Sequence, residues 1–494
     1  MNLGELLSGV ALLQPLTPEL ASAPVAALEF DSRRVSPHSL FFAFPGSKAD
    51  GRQFAADALA SGAVAVISES PAPPELADRW IQVAHGRQAL SLAARNFFQR
   101  PDERLYLTGI TGTNGKTTTA YLIDSVLRAA GFTTALIGTI EYHLAGRVLK
   151  AVNTTPESLE LLRLFSALES AGGTHVTMEV SSHALALGRV HGLNFHTTVF
   201  TNLTRDHLDF HGDMEAYFAA KQLLFEGAGG APPQYAVLNR EDEWAHRIKV
   251  HPGTQMIWYG LGPEADLRPR HIASGFGGLR FDLQFGKRRI PIESPLIGKI
   301  NVYNILAACA TGFTYGLAPE VVAHGIADLK AVPGRFERVD EGQPFVVVVD
   351  YAHTDDALRN VISVARGLNP KRVITLFGCG GDRDRAKRPL MGQVAAEGSD
   401  FVFLTSDNPR SEDPLAIMND ALVGVRRFDV PHVVEPDRQA AIRGALKEAR
   451  EGDIVILAGK GHETYQVLKD KTIDFDDRAV AREVLKGYGY HKTQ

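Results

Sequence analysis

Cysteine is nearly absent: Cys309 and Cys379 are the only two in 494 residues. They lie far apart, in apolar or glycine-rich settings, so neither a disulfide framework nor a cysteine zinc site is expected. No Lys or Arg precedes Arg33 and Glu5 sits near the start, so the N-terminus lacks the charged opening of a secretory signal. No uninterrupted apolar run reaches the length needed to span a bilayer. A basic excess is missing too. The 52 Lys and Arg against 57 Asp and Glu give a formal charge of −5, the opposite of what a general nucleic-acid binder carries. These absences lead us to expect a cytoplasmic monomer that works on small molecules, with no nucleic-acid or membrane partner.

What is present is an ordinary globular composition, 45% apolar and 22% charged, in a chain too long for one core. Two to four domains are expected. The chain is organised around residues 105–120. There an apolar run (Leu105, Tyr106, Leu107, Ile110) enters Gly112-Thr113-Asn114-Gly115-Lys116-Thr117-Thr118, and Ala120, Leu122, Ile123 and Val126 continue at helical spacing. This is strand, phosphate loop, helix. The glycines let backbone N–H groups converge on a polyphosphate, the helix start adds positive potential, and Lys116 adds a mobile charge. The Thr117 hydroxyl is placed to ligate Mg²⁺. Ile110 stands where the widespread motif has its first glycine, so the loop is the shorter G-x-x-G-K-T type.

Before the loop, apolar runs at 39–44, 63–68 and 80–83 with a helical piece at 51–61 describe a small α/β unit. Its loops Asp31-Ser32-Arg33 and 46–51 suit a ligand with phosphates or hydroxyls, but solvated turns have the same composition and are the favoured reading on these residues alone. After the loop, strands at 133–137, 175–180, 197–200 and 235–238 alternate with helices at 158–171 and 214–225. That pattern predicts a doubly wound, mostly parallel sheet with ligands at its carboxyl-end strand tips. Period-two patterning at 255–294 predicts a hairpin about Gly286-Lys287, and helices follow at 301–315 and 319–329. From residue 345 the alternation restarts in a third, Rossmann-like unit, with strands at 345–349, 372–377, 401–404 and 454–458. The fold class is α/β throughout, with expected domains 1–87, 88–332 and 333–494.

Polar residues gather at the strand ends. Glu179 precedes Ser181-Ser182-His183, the loop 201–209 holds His207, and Lys221 lies on the next helix. Taken singly, Glu179 could be a helix cap, His207 a satisfied loop histidine and Lys221 a member of a solvated face. Together, after a phosphate loop, they form a site for Mg²⁺ and a polyphosphate. In the third unit Arg383, Arg410 and Glu463 suit a ligand bearing both carboxylates and amines, since arginine pairs with carboxylate through two parallel bonds. Loop salt bridges account for those three equally well.

These residues are similar to the motifs of the Mur ligases, and within them to the members that add diaminopimelate to bacterial cell-wall precursors. The resemblance covers essentially the whole chain. It rests on GTNGKTT, Asn153-Thr154-Thr155-Pro156, residues 179–183 and 202–207, Ala220-Lys221, Asn301-x-x-Asn304, Pro333-Gly334-Arg335, Asp350-Tyr351-Ala352-His353 and Asp407-Asn408-Pro409-Arg410. It implies that Ser32, Ser47, Lys48 and Ala49 hold the uridine nucleotide, and that Asn153, Thr154, Thr155, Ser181 and Arg189 hold the muramoyl dipeptide. Two Mg²⁺ ions are implied, one near Thr117 and Glu179, the other near His207 and a Lys221 carbamylated by CO₂. Asn301, Asn304, Arg335, Asp350 and His353 join the loop around ATP. Arg383, Asp407, Asn408, Pro409, Arg410, Gly459 and Glu463 match the acceptor site, with Arg410 on the carboxylate that lysine lacks. Leu187 departs from relatives that place glutamine there. The expected reaction is ATP-dependent amide ligation through an acyl phosphate, and no residue stands out as base for the incoming amine. The rivals are a lysine-adding ligase, a folate polyglutamylating ligase, and a nucleotide switch that hydrolyses ATP without ligation.

Overall fold

Runs such as Val346–Asp350 (VVVVD) and Ile454–Ala458 (IVILA) carry apolar or β-branched side chains on both faces, which suits strands covered by helices on each side of a parallel sheet. In the computed structural model, which describes residues 1–46 and 50–491, such strands build three sheets that carry the site. The first has four parallel strands in chain order, Ala27–Glu29, Ser39–Phe42, Ala65–Ser68 and Trp80–Gln82.

The second sheet has eleven strands. Its centre is parallel, running Gln255–Tyr259, Tyr235–Asn239, Thr197–Phe200, Tyr106–Thr111, His175–Glu179, Thr134–Ile137. Antiparallel hairpins finish both edges. The strand order reverses around Tyr106–Thr111, so the phosphate loop leaves the sheet at its topological switch point, where α/β sheets open a crevice. The third sheet has six strands, with Val346–Asp350, Ile454–Ala458, Val373–Cys379 and Phe401–Ser406 parallel at its centre.

One hydrophobic core joins Leu28, Phe42 and Ile67 of the first sheet to Leu107 and Val176 of the second and to Phe165 of the helix Ser158–Ser170. The third sheet has its own core on each face. Cys309 and Cys379 are buried and free in separate cores. Two helix starts beside the site are capped by short acceptors. Asp213 takes the Ala216 N–H at the head of Met214–Phe225, and Thr354 takes the Ala357 N–H at the head of Asp355–Arg366, each worth about 1 kcal/mol. Among the described residues no helix is long and apolar enough to cross a membrane.

The strands at 197–200 and 454–458 and the helix at 214–225 fall where the pattern predicts them. The hairpin Glu141–Leu144 and Arg147–Lys150, the edge strand His432–Glu435 and the C-terminal helix Asp477–Gly487 were not predicted. The two strand regions are short and largely solvent-facing, so they lack the apolar runs that mark the interior strands.

Candidate active site

The strand Tyr106–Thr111 delivers the phosphate loop, and the helix Lys116–Ala129 follows it directly. Gly115 has φ +85°, and a Cβ there would come within 2.5 Å of Asn304 Oδ1, so only glycine fits. Lys116 Nζ folds back onto the Gly112 and Thr113 carbonyls at 2.9 and 2.8 Å. Burial lowers its pKa. The Thr117 hydroxyl donates to Glu179 Oε2 at 3.0 Å, and Thr139 supplies its N–H to Oε1 at 2.8 Å and its hydroxyl to Oε2 at 3.1 Å. Glu179 is therefore a buried carboxylate held by three donors rather than a helix cap.

Arg335 reaches the Thr117 hydroxyl at 3.3 Å and lies over the Tyr351 ring at 4.7 Å. Asn304 Nδ2 donates to Asn301 Oδ1 at 2.8 Å, as their spacing on one helix face predicts, and Asn304 Oδ1 takes the Thr119 hydroxyl at 3.3 Å. Asp350 accepts the Phe336 and Ala352 N–H groups at 2.7 and 2.8 Å, while burial raises its pKa. Loop residues 113–118, Glu179, Asn301, Asn304, Arg335, Asp350 and His353 line one cleft of about 290 Å³, while Gly112 does not. An apolar shelf of Ile297, Ile300, Val361 and Val364 completes it. Sequence reasoning missed that shelf, because its residues have the composition of core. Its one mark is an isoleucine, Ile300, left 39% exposed.

His207 has a left-handed backbone, φ 55°, and its Nε2 lies 3.3 Å from Asp206 Oδ2. Burial pushes its pKa down despite the Asp206 charge. Lys221 is not on a solvated face. It is 1% exposed, its Nζ donates to the Gly112 carbonyl at 2.8 Å, and it sits 4.5 Å from the Tyr217 ring centre. Burial first and the Lys116 charge second hold its pKa well below the usual lysine value. Among the described residues no three His, Cys, Asp or Glu side chains cluster at metal-binding spacing. A cation here would draw on few protein ligands plus phosphate oxygens and water, which is the habit of Mg²⁺. The oxygens of Glu179 and Thr117 suit it. The amine of Lys221 does not suit it unless converted to a carboxylate-like group.

A second cleft of about 380 Å³ opens at the carboxyl ends of the third sheet. Arg383, Asp407, Asn408, Arg410, Gly459 and Glu463 all line it, while Pro409 does not. Arg410 takes φ 52°, and its Nη1 donates to the Gly381 carbonyl at 2.8 Å. Asn408 Nδ2 donates to Glu463 Oε2 at 2.9 Å. Gly459 has φ +115°, and a Cβ would meet Asp407 Oδ2 at 2.6 Å. Lys387 and Arg205, which sequence reasoning did not single out, line the same cleft. Asp206, His207, Tyr351 and His353 belong to the walls of both clefts, so the two adjoin.

The residues expected to hold the muramoyl dipeptide fall beside this pair of clefts. The Thr155 hydroxyl donates to the Glu179 carbonyl at 2.8 Å and accepts the Ser181 N–H at 3.0 Å. Arg189 donates to Glu157 and to the Thr155 carbonyl at 2.9 and 3.0 Å. Thr154 and Ser181 line the cleft at the phosphate loop, whereas Ser32, Asn153, Thr155 and Arg189 line neither cleft. Ser32 opens the short helix Ser32–Arg34 in the first unit. Ser47, Lys48 and Ala49 lie outside the described residues.

Comparison with known proteins joins these parts. Residues 24–98 match the Mur ligase family catalytic domain, 110–312 the Mur ligase middle domain, and 334–461 the Mur ligase glutamate ligase domain. The chain is 83% identical over 494 residues, 100% of both chains, to UDP-N-acetylmuramoyl-L-alanyl-D-glutamate–2,6-diaminopimelate ligase of Solibacter usitatus. It is 47% identical to the Geobacillus kaustophilus protein of the same name, over 94% of this chain and 96% of that one. A solved structure of a ligase of that name superposes with a TM-score of 0.70 at 32% identity, covering 99% of each chain. With three family domains matched in order and the relatives spanned end to end, this chain belongs to the Mur ligase family.

Proposed function

We propose that this chain is an ATP-dependent amide ligase that adds meso-2,6-diaminopimelate to UDP-N-acetylmuramoyl-L-alanyl-D-glutamate in peptidoglycan precursor synthesis. The observation that carries the reading is the shared wall of the two clefts. Asp206, His207, Tyr351 and His353 stand between a phosphate loop and a cavity bearing both arginines and carboxylates.

In this reading the γ-carboxylate of the D-glutamyl residue attacks the γ-phosphorus of ATP, forming an acyl phosphate and releasing ADP. The amine of diaminopimelate then attacks the acyl carbon, and the tetrahedral intermediate expels phosphate. Loop N–H groups, Lys116 and Arg335 offset the phosphate charge so that an anionic nucleophile can approach. Arg410 and Arg383 pair with acceptor carboxylates, and Glu463 with an ammonium. Asn153, Thr154, Thr155, Ser181 and Arg189 orient the dipeptide, and Ser32 with Ser47, Lys48 and Ala49 the nucleotide end. Glu179 and Thr117 would hold one Mg²⁺, His207 and a Lys221 carbamate the other. When bound, the ions neutralise charge on the transferring phosphoryl group. Lys221 fits carbamylation because an uncharged amine is the form that adds CO₂. The reading places a monomer in the cytoplasm, with no nucleic-acid or membrane partner.

The test is product formation from the UDP-muramoyl dipeptide and ATP with a panel of amino acids. Turnover is expected with diaminopimelate and only weakly with lysine. Preference for lysine would overturn the acceptor assignment, and ATP hydrolysis independent of both other substrates would favour a nucleotide switch.

A further inference from the structure

A buried ammonium stands behind the wall of the acceptor cleft. Lys460 follows the strand Ile454–Ala458, and its side chain is 0% exposed. Its Nζ donates to Glu463 Oε2 at 3.0 Å and to Asn408 Oδ1 at 3.3 Å, and lies 3.9 Å from Asp407 Oδ1. Lysine does not itself line the cleft, whereas all three of those partners do. A buried charge persists only when paired. An ammonium has three N–H donors to satisfy, and here the partners are side chains of residues that line the ligand space.

The consequence is a fixed arrangement. Asn408 Oδ1 also takes the Val467 N–H at 2.9 Å, and its Nδ2 donates to Glu463 Oε2 at 2.9 Å, so the amide has one orientation. Lys460 and Asn408 therefore both occupy Glu463 Oε2. Among the described residues Oε1 takes no protein donor, and Glu463 is 13% exposed toward the cleft.

Charge follows the same geometry. Asp407 and Glu463 bring two negative charges to this end of the cleft, and Lys460 returns one positive charge. Near neutral pH diaminopimelate carries two ammonium and two carboxylate groups, whereas lysine carries the same two ammonium groups and one carboxylate.

We infer that Lys460 is a positioning residue that sets acceptor specificity: it aims Glu463 at an amino-acid ammonium and cancels one carboxylate, matching the cleft to an acceptor of zero net charge over a cationic one. The inference rests on reading this cleft as the diaminopimelate site.

The experiment compares kcat/KM for diaminopimelate and for lysine at high concentration in wild type, Lys460→Met, Glu463→Gln and the double variant, with KM for ATP and the thermal midpoint as controls. Removing the cation should lower the diaminopimelate-to-lysine ratio about tenfold, chiefly through KM, because unit charges act strongly across a few ångströms of protein. Removing the anion should move the ratio the other way, and the double variant should return toward the wild-type ratio. KM for ATP should stay within about twofold in every variant, since the partners of Lys460 lie outside the nucleotide cleft. If Lys460→Met lowers both activities and the thermal midpoint with the ratio unmoved, the lysine is structural and the inference falls. If Lys460→Met does not fold, the sign of the Glu463→Gln shift decides, and a fall in the ratio overturns the idea. A wild-type enzyme that ligates no diaminopimelate removes the reading of the cleft itself, an outcome distinct from normal turnover with an unmoved ratio.

Discussion

The side-chain amide of Asn114, in the phosphate loop, donates to the carboxylate of Asp356 at 2.7 Å, across the space between the second and third sheets. Asp356 also accepts the Thr204 hydroxyl at 3.1 Å and stands in the first turn of the helix Asp355–Arg366. Arg205 strengthens the same junction by pairing with Asp355 at 2.9 Å. The third unit thus grips the loop that would surround the nucleotide phosphates.

Asp356→Ala should raise KM for ATP about tenfold, the scale of losing hydrogen bonds to a charged group. The thermal midpoint should move little, because the residue ties two units together and fills no core. ATP binding unchanged by calorimetry would rule out this coupling.

Arg410→Lys should lower kcat/KM for diaminopimelate by about tenfold to a hundredfold, since a point charge cannot replace a two-pronged contact with a carboxylate. KM for ATP should stay within about twofold, because Arg410 lines the cleft of the third sheet and not the one at the phosphate loop. Equal losses in both parameters would contradict the assigned role.

Lys221→Ala should abolish turnover while the chain stays folded. Intact-mass measurement of the native enzyme should show the addition of one CO₂, and activity lost on exhaustive CO₂ removal should return with bicarbonate. Full activity without CO₂ would reject the carbamate.

Stability should depend on pH through His175 and His196, which stack with Tyr106 and Tyr315 at the end of the second sheet opposite the phosphate loop. Burial pushes both imidazoles down to about 4. Between the unfolded value near 6.5 and that folded value, the unfolded chain binds protons that the folded chain does not, so stability falls as pH drops through this window. Acid unfolding followed by circular dichroism should show this loss, and His196→Gln should flatten it. An unchanged pH profile in the variant would exclude His196 as a contributor.

Much of the architecture was legible because parallel interior strands are continuous apolar runs. Phe401–Ser406 and Ile454–Ala458 announce themselves, while the solvent-facing Glu141–Leu144 and His432–Glu435 do not. The phosphate loop was readable from spacing because glycine is forced there by contacts such as that with Asn304. Lys221 was harder to place. A lysine on a helix normally faces water, and only the tertiary packing of Tyr217 and the Gly112 carbonyl makes it a buried amine. Lys460 carries no pattern of its own either, since Glu463 lies in the same loop but Asp407 and Asn408 are brought from the end of another strand, Phe401–Ser406.

The common wall formed by Asp206, His207, Tyr351 and His353 also has a pharmacological reading. Two small sites that share a wall lie close enough to be bridged by a single molecule. A nucleoside diphosphate tethered to an amino dicarboxylate would pay the entropy of association once, and the second half would bind at the high effective concentration set by a short linker. Neither half need be potent alone, provided the tether runs past His207 and His353.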